Sequence, residues 1–150
     1  MLTSMVVTLV IISLTILIHY EVLNGLSRWR HHFRLPAKLR LMLSVLIIFA
    51  AHSAHIWLFA GGIYLMHEVL DLGALAGNFD GSVRDYVYFS AATYSTLGYG
   101  DIEPHGYLRM VCGFEALIGL LMMAWSAAYT VLHLQPEWHR HQPDHPEKRK

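Results

Sequence analysis

The chain has 150 residues, 55% of them hydrophobic and 15% charged. That charged share is well below the roughly 25% of soluble globular domains, which argues against an ordinary cytosolic enzyme. Lysine plus arginine and aspartate plus glutamate each number 11, so no basic excess points to nucleic acid, and the single cysteine excludes an intramolecular disulfide, a cysteine zinc cluster and thiol redox chemistry.

No charge interrupts Met1 to Tyr20, and the Val/Ile/Leu-rich stretch from Val6 to Ile18 is long enough to predict a first transmembrane helix, assigned to residues 1–24. A cleaved signal peptide is the competing reading, but a positive leading region and a small-residue cleavage site before Glu21 are both missing. A basic connector over 25–40 follows, with Arg28, Arg30, Arg34, Lys38 and Arg40, His31 and His32 among them, and Pro36 to break any continuous helix. The second uncharged run, Leu41 to Met66, predicts a second span, tilted or bent near Gly61 and Gly62 and closed by His67 and Glu68. The third runs from about Tyr107 to Leu134, with Arg109 near its start and Glu115 inside it. From 135 to 150, Pro136, Pro143 and Pro146 among charges and histidines read as a largely disordered tail.

Nine of the 11 basic side chains fall in the connector and the tail, against Arg84 and Arg109 between the second and third spans. By the positive-inside rule the connector and carboxyl terminus are cytoplasmic, the amino terminus is outside, and the protein is a multi-pass component of the cell membrane. The outward region then carries Glu68, Asp71, Asp80, Asp85, Asp101 and Glu103, an acidic field that concentrates cations.

Within that region Ser82 and Asp85 have the spacing of a capping box, opening a short apolar helix from about Val83 to Tyr94. At roughly 18 Å by the helical rise it is too short to cross a bilayer, so it is read as a re-entrant segment with its carboxyl end pointing into the membrane. The partial negative charge of that end favours a cation at depth. Non-helical backbone is tolerated at such depth only where it is buried in protein or lines a watery path. Gly98 and Gly100 give the following segment the conformational freedom to turn successive carbonyls toward an axis, where carbonyl rings replace an ion's water shell. One chain supplies one strand of such a ring, which calls for assembly around a shared axis, most simply a homotetramer.

The run Thr96-Leu97-Gly98-Tyr99-Gly100-Asp101, preceded by Ser95 and followed by Pro104, resembles the TVGYGD filter of potassium channels. The flanking spans look like that family's outer and inner helices, so the resemblance covers roughly Leu41 to Leu134 and is greatest with small bacterial single-pore potassium channels that carry an extra amino-terminal helix. It implies that Thr96, Leu97, Gly98 and Tyr99 supply the oxygens that hold K+, the Thr96 hydroxyl at the inner end, with Gly100 completing the ion-binding segment. Ser95 and Asp101 are the implied flanking supports, and Tyr99 is expected to brace the filter against Tyr88 and Phe89. Leu97 stands where the family usually has valine, a change that bears on selectivity through the packing behind the filter. No voltage-sensing arginine ladder is visible in any span.

Glu115, deep in span three, needs a partner, and depth counted along the helices suggests a buried His55 to Glu115 hydrogen bond, either a pH-sensitive gating link or a purely structural tie. Gly119 reads either as the hinge that the resemblance implies or as a site of close helix packing. Met122, Met123, Ser126 and Thr130 are candidates for the inner vestibule, although helical spacing does not separate pore-facing from lipid-facing positions. The 11 histidines raise a rival reading, a haem or metal protein of the membrane. Its weakness is geometry, because His19 and His133 are placed near the cytoplasmic ends of their spans and His52 lies deeper. His139, His141 and His145 in the tail are read as a solvated segment.

The expectation is an all-α membrane protein with three transmembrane helices, a re-entrant pore helix and a filter, organised as helix 1–24, linker 25–40, pore domain 41–134 and tail 135–150. Its expected function is passive, potassium-selective conduction by a homotetramer in the lipid bilayer, with no catalytic residue, no cofactor and no nucleic-acid partner. The alternative from another class is a non-conducting or weakly selective membrane assembly partner with a channel-like pore.

Overall fold

The computed structural model describes the backbone of residues 2–32 and 35–140 and the side chains of 2–29 and 35–132. Three helices are long and apolar enough to cross a membrane, over Leu2–Trp29, Ala37–Val69 and Leu108–Leu132. The all-α membrane architecture is therefore as the uncharged runs predict.

Helix α1 spans Leu2–His32. Along it Ser4, Thr8, Ile11, Thr15, His19, Leu23 and Leu26 are buried, while Val6, Leu9, Val10, Leu14 and Leu17 face outward. The spacing is that of one helical face, but its polarity is the inverse of a soluble helix: the apolar residues meet lipid and the small polar ones meet protein. The hydroxyls do not compete with the helix in lipid, because they bond to carbonyls one turn back, Thr8 to Ser4 at 2.7 Å and Thr15 to Ile11 at 2.9 Å. The helix also runs on past residue 24 through Arg28 and Arg30. Arginine is a good helix former and can reach water beside the membrane, so the helix does not end at residue 24, and a new one begins after Pro36.

Helix α2 (Ala37–Tyr64) starts after Pro36 and ends in a π-helical turn, Leu65–Val69, where the Leu70 N–H reaches the Leu65 carbonyl at 3.0 Å. The re-entrant helix α3 spans Val83–Tyr94, as the capping pattern predicts, and α4 spans Leu108–Arg140. The α4 backbone is thus helical over 135–140 of the expected tail; residues 141–150, with His141 and His145, lie outside the described residues.

A short antiparallel ribbon, not foreseen, joins β1 (Leu75–Gly77) to β2 (Ile102–Pro104), with Ala76 opposite Glu103. It ties the loop before α3 to the segment after the glycine-rich run. Gly77 is required there: its φ is +96°, and a Cβ would overlap the Asp101 carbonyl oxygen.

The core is layered along the helices, and the end beside Ser82, where α3 begins, is labelled outer. An outer cluster gathers Ile63, Met66, Tyr86, Phe89, Leu108 and Val111. A middle one joins Ile11, Phe59, Tyr94, Ile118 and Met122, and an inner one Leu23, Leu26, Ile48 and Tyr129. Helix α1 contributes to the middle and inner layers, so it packs on the other helices rather than standing apart in lipid.

Candidate functional site

The site is built around α3. Ser82 caps it, its Oγ accepting from the Asp85 N–H at 3.3 Å. The reciprocal arm of the box is rerouted: Asp85 accepts from the Asp80 N–H at 2.9 Å, and Asp80 accepts from the Ser82 N–H at 2.8 Å. These acids sit at the positive end of the helix dipole. Hydrogen bonds from Ser82, with Asp85 and the Arg84 charge adding, hold the Asp80 carboxyl below its ordinary value.

Tyr86, Phe89, Ser90 and Tyr94 form the buried face of α3, wedged between α2 and α4. At the outer end the Tyr86 hydroxyl donates to Glu68 at 2.8 Å and lies 2.6 Å from His67 Nδ1. Burial first, and then the bond to Glu68, push its pKa up, so the phenol stays protonated and in place. Deeper, the Ser90 hydroxyl lies 2.5 Å from Glu115 Oε1 and 2.9 Å from the Ile56 carbonyl. Deepest, the Tyr94 hydroxyl is 2.9 Å from His52 Nδ1 and 3.0 Å from His55 Nδ1.

The expected His55 to Glu115 bond is therefore corrected. His55 meets Tyr94 and Glu115 meets Ser90, because α3 lies between the two spans and intercepts both side chains. Gly119 is buried against the end of α3, where a Cβ would overlap the Tyr94 carbonyl oxygen. Met122 is buried in the middle layer, and Ser126 faces His52 at 3.0 Å and His19 at 3.2 Å, so neither lines a vestibule. Leu117, Leu120, Leu121 and Trp125 are among the exposed positions of that part of α4.

After Tyr94 the backbone leaves the helix through Thr96 N–H to Thr93 carbonyl and Gly98 N–H to Ala92 carbonyl bonds, both 3.0 Å. Thr96, Gly98 and Gly100 then have positive φ, at 60°, 52° and 79°, in alternation with Leu97 and Tyr99. Residues 95–100 are exposed in the single chain, Leu97 to 58% and Tyr99 to 67%. Tyr99 stacks on Tyr88, with ring planes 8° apart and centroids at 6.3 Å. Tyr88 in turn donates to Asp101 Oδ2 at 2.9 Å, and that bond raises the tyrosine's pKa. Of the two expected braces for Tyr99, Tyr88 is in place, whereas Phe89 is turned into the outer core.

Sequence reasoning missed one constellation. His19, His52 and His55 converge, with ring centroids 5.3 to 5.8 Å apart. The placement of His19 near a span end is thereby overturned: α1 continues to His32, which puts residue 19 roughly 20 Å from that end at the helical rise. The polar stripe Ser4, Thr8, Thr15, His19 was the available signal.

A family model described as "Ion channel" matches residues 42–135, well over half of the chain. The protein belongs to that ion channel family, and with its three spanning helices it is a multi-pass membrane protein. It is also similar to Protein LctB of Geobacillus stearothermophilus, 39% identical over 56 residues, which are 37% of this chain and 42% of the relative. The chain thus matches less than half of that relative's length. No solved structure matches the chain significantly.

Proposed function

We propose that the protein is a potassium-selective channel, conducting passively as a homotetramer through a ring of backbone carbonyls from Thr96 to Tyr99, with residues 41–134 as its pore domain. The observation that carries this reading is the alternation of positive φ at Thr96, Gly98 and Gly100 in an exposed segment at the carboxyl end of α3. Alternating handedness turns successive carbonyls to one side, which is the arrangement that replaces an ion's hydration shell. The negative end of the α3 dipole favours a cation in the space beyond it. The exposure of Leu97 and Tyr99 supports assembly, because uncovered filter backbone at membrane depth is tolerated only against protein or water.

The acids Asp80, Asp101 and Glu103 lie toward the outer mouth in this reading and concentrate cations there. With the amino terminus outside and the carboxyl terminus inside, Leu117, Leu120 and Leu121 are available for neighbouring subunits, lipid or the vestibule. Ions shed water onto the carbonyls, repel one another in single file and leave because no site holds them too tightly.

The test is potassium flux from liposomes containing the purified protein, together with its mass in detergent. A tetrameric mass and a potassium efflux that sodium does not match are expected. A tetramer that releases neither ion would favour the non-conducting assembly partner, and a monomer or dimer would remove the ring altogether.

A further inference from the structure

We propose that His19, His52 and His55 form a binding site for a divalent transition metal of the zinc class, tying α1 to the helices around α3. One ring nitrogen from each histidine lies within 4.8 Å of those of the other two, the sole such trio of potential ligands among the described residues. His19 and His55 are fully buried. Each has one ring nitrogen, His19 Nδ1 and His55 Nε2, that is buried without a hydrogen-bond partner. An unpaired polar atom is costly anywhere in a protein and most so inside a bilayer, yet here two occur in rings that touch. A shared metal ion satisfies both.

The opposite nitrogens are already held. His55 Nδ1 faces the Tyr94 hydroxyl at 3.0 Å, and His19 Nε2 faces the Ser126 hydroxyl at 3.2 Å. Ligating imidazoles are oriented in this way, the second nitrogen keeping its proton and donating it while the first offers its lone pair. His52 contacts both hydroxyls, Tyr94 through Nδ1 and Ser126 through Nε2, and exchanges one contact for the metal. Tetrahedral zinc with nitrogen ligands at about 2.0–2.1 Å needs its ligand atoms about 3.4 Å apart, so the convergent nitrogen of each ring closes on the others by at most about 1.4 Å, with ring rotation selecting which nitrogen faces the ion.

The donor set selects the ion. Three neutral imidazoles suit zinc, copper, nickel or cobalt, whereas calcium and magnesium require oxygen ligands. Among the described residues Glu115 is the one buried carboxyl group, and it is held by Ser90 rather than by the three histidines. The ligands come from α1 and α2, and the hydroxyls behind them from α3 and α4. Occupancy therefore fastens α1 to the pore-helix residue two positions before Thr96.

The test uses the full chain with its purification tag removed and with His31, His32, His139, His141 and His145 changed to Ala, so that the paired and clustered histidines of the linker and tail do not compete. In the metal-stripped protein, Co2+ is expected to bind one per chain, with the intense visible bands of four-coordinate cobalt that Zn2+ then abolishes. The further change His19→Gln is expected to weaken binding about 100-fold or more while the oligomer is retained on gel filtration. Zinc X-ray absorption on the intact cluster guards against a misfolded variant, and three imidazole ligands are expected. Absence of cobalt or zinc binding at equimolar concentration, binding unchanged by His19→Gln, or fewer than three imidazoles would overturn the proposal. None of these readouts involves ion flux, so their failure leaves the conduction reading standing, and failure of conduction leaves them interpretable.

Discussion

Gly119 of α4 backs onto the carbonyl oxygen of Tyr94 so closely that a β-carbon at position 119 would overlap it. The glycine permits the end of the re-entrant helix to rest on the third span. Two of the three nearest atoms are backbone and cannot rotate away. Gly119→Ala should therefore destabilise the protein by about 1–3 kcal/mol, the cost of overpacking a core site. Thermal unfolding in detergent checks this, and an unchanged midpoint would mean that α3 and α4 separate freely.

Ser90 has one hydroxyl proton and two acceptors in reach, the Ile56 carbonyl and Glu115 Oε1. A group that brings its own donor toward Ser90 relieves that shortage. Glu115→Gln, whose amide can donate, should leave thermal stability within about 1 kcal/mol of the parent. Ser90→Ala, which strands a buried carboxyl without its partner, should cost about 1–3 kcal/mol. The reverse order would show that the carboxylate itself, and not a hydrogen bond, holds the spans together.

Much of this geometry was legible in the residues. The uncharged runs give three spans, and Ser82 and Asp85 give the start of α3 because a cap is a local device that needs no knowledge of neighbours. The partners of His55 and Glu115 were not legible: depth along two helices says that they share a level, but not that a third helix enters between them. The histidine cluster was hidden for a related reason. Residue 19 reads as a span end when Glu21 and Arg28 are taken as the boundary, and it becomes mid-helix only because α1 carries its charges onward to His32.

The cap of α3 has a defined response to acid. The folded pKa of Asp80 is lowered from 3.8, so its stabilising effect is complete above that value and is lost as pH falls through the folded one. Amide exchange at the first turn of α3 should show steady protection from about pH 7 to about pH 5 and a loss only below the ordinary carboxylate range. Protection that already falls between about pH 7 and about pH 5 would assign the cap to a different group. Ser82→Ala should weaken the same turn at every pH by about 1 kcal/mol.

Tyr88 holds Tyr99 by stacking and Asp101 by a hydrogen bond, so it fastens both sides of Gly100. Tyr88→Phe keeps the ring and loses the bond, and Tyr88→Ala loses both. On the proposed conduction through Thr96 to Tyr99, selectivity for potassium over sodium should fall modestly in the first and severely in the second. Equal selectivity in all three proteins would place the filter's support elsewhere.

The central claim is that the backbone from Thr96 to Tyr99 selects potassium. The most direct measurement is the reversal potential of current through the purified protein in a planar bilayer with potassium on one side and sodium on the other. The account predicts a value near the potassium equilibrium potential. A value near zero would contradict it, because a carbonyl ring that passes both ions equally does not do the work assigned to these residues, with Leu97 in place of the usual valine as the first position to revert.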